Sequence, residues 1–188
     1  MKKNTFLFII LLAVITYSFG QSTDGSQFTS SEKQRETILK IVSDTMVLNF
    51  LDGKTTIANS QEVFKYVDSN FNDWGLNKGG RRTPETKIQV YKLIKDASFK
   101  QMFNSISSDL DRLCLTQHQI VEFCVKSQKY LRKNDLAIFF LFKVDSKYYI
   151  AKVGAGSSGL GMSVFTFEAD AAWFSNYPHR VAVPQLDN

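Results

Sequence analysis

The residues best equipped for chemistry stand close together in WFSNYPHR, residues 173–180, which holds Trp173, Tyr177, His179 and Arg180. Aromatic faces stack on planar or sugar-like groups, and a neighbouring cation makes charge-assisted hydrogen bonds to an anion. The same rings could equally pack a loop onto the rim of a sheet. A second group lies in NDWGLNKGGRR, residues 72–82, where Lys78, Arg81 and Arg82 flank Gly79 and Gly80 and Trp74 sits just upstream. Guanidinium forks and free backbone N–H groups in such a loop can grip a phosphate or an acidic partner. Trp74 then either anchors the loop or awaits that partner.

His179 is also the residue a hydrolase would use as its base, and Ser157, Ser158, Cys124, Asp170 and Glu168 supply nucleophile and carboxylate types. Catalysis needs a nucleophile, the imidazole and an orienting group together in space, which presence in the chain does not provide. The five residues centred on Ser158 end in Leu160, so the G-x-S-x-G elbow is not formed. His118 and Cys124 are six apart on one expected helix and fall on nearly opposite sides. His118, in the first turn of that helix, is expected to face solvent.

Gly154, Gly156 and Gly159 stand at the G-x-G-x-x-G spacing of a dinucleotide fingerprint. That fingerprint works only where a helix begins at the glycines and offers its N-terminus to a pyrophosphate. Here Met162 to Phe167 alternate as a strand does, so the glycines predict a hairpin loop. No cofactor is implied. With only Cys114 and Cys124, and no C-x-x-C or paired-histidine spacing, no metal site is implied either. The two cysteines allow a Cys114–Cys124 disulfide in an oxidising compartment, or leave Cys124 as a small buried apolar residue.

These residues need elements to hold them. Apolar positions at helical steps predict a helix within residues 31–51, a short one after Ser60 carrying Val63, Phe64, Val67 and Phe71, and one started by Thr83-Pro84-Glu85 carrying Ile88, Tyr91, Leu93 and Ile94. Further helical spacing runs from Phe99 to Ile106, and Thr116 to Gln119 makes a capping box for a helix over 117–131. The period then changes to two. LAIFFLFKV, residues 136–144, is apolar on both faces and predicts a central strand, followed by strands in YYIAKV, MSVFTFEA and, as an edge strand ending at Pro184, HRVAVPQ. The expected fold is α+β, with four or five N-terminal helices packed on one face of a C-terminal three- to four-stranded antiparallel meander.

At the start of the chain, Lys2 and Lys3, the apolar run Phe6–Ile15 and Ser18-Phe19-Gly20 read as a cleavable export signal over residues 1–20. Residues 21–30 follow as a loose polar terminus, and 31–188 as one domain. The signal takes two of the 23 basic residues and none of the 18 acidic ones, leaving 21 against 18, a net charge of +3. So small a surplus, unclustered, argues against a nucleic-acid binder. With the signal removed, no membrane attachment is expected. The absence of any N-x-Ser/Thr sequon favours a bacterial secretory setting.

The expected function is therefore that of an exported, periplasmic or secreted, non-catalytic binding or inhibitor-like protein. It would act through an apolar sheet face or through the loops holding Trp74, Arg81, Arg82, Trp173, Tyr177, His179 and Arg180. Its partner would be a protein, a small molecule, or a second copy docked through the sheet. The alternative is an envelope hydrolase using His179 with a Ser or Asp brought near by folding.

Overall fold

The computed structural model describes residues 37–42, 45–131 and 137–186. The expected export signal, the loose terminus at 21–30 and the first part of the helix expected over 31–51 lie outside them. In chain order the elements are β1 (Leu39–Ile41), β2 (Met46–Leu48), β3 (Phe64–Val67), α1 (Asn70–Asp73), β4 (Thr86–Leu93), β5 (Ala97–Ser98), α2 (Phe99–Ile106), α3 (Gln117–Leu131), β6 (Ala137–Val144), β7 (Lys147–Gly156), β8 (Gly159–Thr166), β9 (Ala172–Trp173) and β10 (Arg180–Pro184). Short 3-10 turns occupy Ile57–Asn59 and Leu110–Leu113.

Eight of the strands form one mixed sheet in the order β1-β4-β10-β6-β7-β8-β3, with β2 also paired to β4. This overturns the expected helical N-terminal half. The described residues contain three α-helices, one of them a single turn, and no helical bundle packed on a small meander. The physical reason is visible in β4. Ile88 and Val90 join the core on one sheet face, while Tyr91 and Leu93 join the core on the other, the period-two alternation of a strand. Ile88, Tyr91 and Leu93 also fit a helical stripe, and pairing with β1, β2 and β10 decides between the two readings. The β-branched residues Ile41, Val47 and Val67 stand likewise in β1, β2 and β3, where a branched Cβ suits the pleat.

The strands expected in LAIFFLFKV, YYIAKV and MSVFTFEA form, within the large mixed sheet rather than a separate meander. β6, β7 and β8 are joined by tight antiparallel hairpins. Asp145 and Ser146 both adopt positive φ, 47° and 67°, as the favoured two-residue hairpin turn demands. The glycines form the second hairpin: Gly156 pairs with Gly159 across Ser157-Ser158, and a strand follows with no helix. β10, expected at an edge, instead lies inside the sheet, antiparallel to β4 and parallel to β6. Its ladder to β6 stops at Val181, so the missing N–H of Pro184 falls outside it.

Both faces of β6 are buried by this chain's own elements. Ile138, Phe140 and Phe142 pack with Ile120, Phe123 and Cys124 of α3. Phe139 and Leu141 pack with Phe99, Met102 and Phe103 of α2 and with Leu113. The open sheet face expected for a ligand or a second copy is therefore covered at β6. Each covering helix has its capping box: Ser98 with Gln101 for α2, and Thr116 with Gln119 for α3. The cysteines are free thiols. Cys124 belongs to the first core and Cys114 packs against the second, so the disulfide allowed by the sequence is not formed.

Candidate functional site

β9 and the turn after it stand against the β5 end of the second core. Ala97 pairs with Trp173 and Ser98 with Ala172. The Asp96 carboxylate then accepts two hydrogen bonds from Ser175, one from its backbone N–H at 2.7 Å and one from its hydroxyl at 2.8 Å. Tyr177 N–H donates to the Phe174 carbonyl and His179 N–H to the Tyr177 carbonyl, while the His179 carbonyl accepts from Leu93 N–H at 3.0 Å. The turn is thus tied to β4 at one end and to Asp96 at the other. The Ser175 bonds hold the Asp96 carboxyl below its ordinary range.

This scaffold gathers an aromatic cluster around Trp173. Its ring centroid lies 4.7 Å from Phe139, 5.6 Å from Phe99, 5.9 Å from Phe165 and 5.3 Å from His179. The Tyr177 ring stacks on His179 at 5.6 Å and 27°. Between these rings and the sheet opens a cleft of about 610 Å³, within the range of small-molecule sites. Its walls are Phe165, Trp173, Phe174, Tyr177 and His179, and its sheet side is Ala137, Lys152, Gly154 and Ala155.

Two features separate this cleft from ordinary packing. His179 is 8 % exposed, and its Nδ1, like Trp173 Nε1, is buried with no hydrogen-bond partner. Burial, with a smaller contribution from the charge on Lys152, lowers the His179 pKa below its usual value and favours the neutral ring. Lys152 is the second feature. Its ammonium stands 5.5 Å from the Trp173 centroid and, among the described residues, makes no ion pair. A cation over a ring face and a neutral imidazole together offer charge, stacking and one hydrogen-bonding edge.

Of the sequence candidates, Trp173, Tyr177 and His179 meet in this cleft. Arg180 does not: as the first residue of β10 it shares the sheet face of Ala182, opposite Val181 and Val183. Trp74 is elsewhere, 43 % exposed against Tyr149 at 6.4 Å, with Tyr149 packed on the first core. Arg81 lines another cavity of about 510 Å³ with Lys78, Gln117, Asp111 and Lys143, and Arg82 lines neither. In that second cavity Lys78 is paired with Asp145 and Lys143 with Asp111, so two of its three cations are already neutralised. His118, expected at the surface, is largely covered and lies 3.3 Å from Asp52.

Sequence reading missed Lys152, Phe174 and Asp96. A signal for Lys152 existed: a lysine between Ala151 and Val153 in a strand flanked by apolar strands must reach out past one face. No local signal marks Asp96, whose partner Ser175 is 79 positions away.

Among the described residues the cleft lining holds no serine, threonine, cysteine or carboxylate. Ser157 and Ser158 line a separate cavity with Glu62, Lys65 and Gln128. Among the described residues no cluster of His, Cys, Asp and Glu could hold a metal ion. No family model, curated protein or solved structure matches the chain.

Proposed function

We propose that the protein is an exported, non-catalytic binding protein whose ligand enters the cleft formed by Lys152, Phe165, Trp173, Phe174, Tyr177 and His179. Export rests on the sequence of residues 1–20. Binding rests chiefly on one observation: among the described residues, two ring nitrogens, His179 Nδ1 and Trp173 Nε1, are buried without hydrogen-bond partners in side chains that line an open aromatic cleft. Leaving a buried polar atom unpaired costs about 1–3 kcal/mol. A fold that used these rings only for packing would avoid that cost with Phe or Leu. The binding reading is favoured over the hydrolytic one because, among the described residues, His179 Nδ1 has no carboxylate to orient it and the lining holds no serine, threonine, cysteine or carboxylate.

The test is a thermal-shift screen of small metabolites, glycans and aromatic acids against the wild type and Phe174→Ala. Phe174 is 56 % exposed, so its truncation spares the core. At least one compound class should raise the wild-type Tm by several degrees at saturating concentration, and the gain should shrink in F174A. A screen in which nothing stabilises the wild type, or in which every gain survives F174A intact, contradicts the reading.

A further inference from the structure

We infer that the cleft selects a small planar aromatic anion, of the arylcarboxylate class; the inference rests on the binding reading above and specifies its ligand. Three observations carry it.

The first is charge. Among the described residues, Lys152 is the one lysine or arginine in the lining, and no Asp or Glu lines the cleft beside it. Of the other lysines beside rings or cavities, Lys143 is paired with Asp111 and Lys78 with Asp145. An unneutralised ammonium in a largely apolar recess attracts one negative charge more strongly than it would in open water. A neutral ligand would leave that charge uncompensated in a partly desolvated site.

The second is shape. The walls present aromatic rings: Phe165, Trp173, Phe174 and Tyr177, with the Tyr177 ring stacked on His179. Rings favour offset-stacked and edge-to-face neighbours, so a flat aromatic ligand continues the arrangement already seen among Phe99, Phe139, Phe165 and Trp173. Ala137, Gly154, Ala155, Ala171 and Ala172 leave room beside those rings.

The third is the short supply of polar side chains. A sugar needs a donor or acceptor for each hydroxyl. Among the described residues the lining's polar side chains are only Lys152, His179, Tyr177 and Trp173, and the Trp173 indole N–H is itself buried. That set suits one carboxylate and an apolar body. The carboxylate accepts from the Lys152 ammonium, and the rings take the body.

The experiment is calorimetric titration of the chain with three probes of matched size: 2-naphthoate, the neutral 2-naphthalenemethanol, and octanoate as an anion without a ring. Each is repeated with Lys152→Met, Lys152→Arg and Phe174→Ala. In parallel, the indole N–H signals of the two tryptophans are followed by NMR and assigned with Trp74→Phe. We expect naphthoate to bind at least tenfold tighter than either other probe, K152M to erase its advantage over the alcohol, K152R to keep most of it, and the Trp173 signal to move while the Trp74 signal stays.

Equal affinity for naphthoate and the alcohol would overturn the anion preference, and equal affinity for naphthoate and octanoate would overturn the aromatic one. In both cases binding weakened by F174A leaves the cleft itself standing. No Trp173 shift with any probe overturns the inference together with its use of this cleft. The dispersion of the NMR spectrum reports whether each variant is folded.

Discussion

At the scale of single residues, His179 carries a stability signature that can be measured without a ligand. Burial and the Lys152 charge lower its folded-state pKa below the unfolded value of about 6.5. Between those two pKa values the unfolded chain binds more protons than the folded one, so stability rises with pH across that window and is lost as pH falls through it. Above about pH 6.5 both states hold a neutral ring and the effect vanishes. His179→Phe removes the titration and the unpartnered nitrogen together. Urea midpoints at pH 7.5 and 5.5 should therefore fall further on acidification in the wild type than in H179F, with the variant at least as stable as the wild type at pH 7.5. Identical pH dependence in the two proteins would show that the imidazole is not buried as described. Lys152 belongs to the same scale, and its position was readable: the alternation of Ile150, Ala151, Lys152 and Val153 puts a lysine on a face that otherwise buries Ile150.

At the scale of elements, the cleft depends on how its turn is tethered. Asp96 lies in the loop between β4 and β5 and fastens Ser175 by two hydrogen bonds, which keep Phe174 and Tyr177 beside the sheet. The carboxylate is solvent-exposed, so Asp96→Ala should leave the melting temperature nearly unchanged while weakening any ligand stabilised by wild-type Phe174. Asp96→Asn, which keeps one acceptor oxygen, should recover part of the loss. Equal ligand affinity in D96A and wild type would remove Asp96 from the account.

Which elements could be read in advance follows from the same physics. α2, α3 and the β6-β7-β8 hairpins were legible because helical spacing, the Thr116–Gln119 capping box and clean alternation all act within a few residues. β1 to β4 were not, because Ile38, Ile41, Val42, Met46, Ile88, Tyr91 and Leu93 satisfy both periods and the choice is made by distant partners. Ala182 of β10, for example, pairs with Val90, and Phe64 of β3 with Leu160 of β8. Local propensity yields to such pairing. The central place of β10 has the same cause: its five residues suit an edge, but the parallel ladder to Ile138 and Phe139 closes the sheet around it.

At the scale of the whole molecule, β6 is buried on both faces, and the aromatic cleft is built between β6, β7 and β8 and the turn after β9. Phe139 joins the two functions, fully buried in the second core and 4.7 Å from Trp173 at the cleft wall. A cleft backed by a central strand of this kind is pre-formed, and a ligand entering it need not order the chain around itself. The most direct measurement is crystallographic soaking of the chain with a library of small aromatic and aliphatic fragments. The account predicts that aromatic acids concentrate between Lys152, Trp173, Tyr177 and His179, with the carboxylate within hydrogen-bond distance of Lys152 Nζ. Fragments gathering at the Lys78 and Arg81 cavity while the His179 cleft stays empty would contradict it.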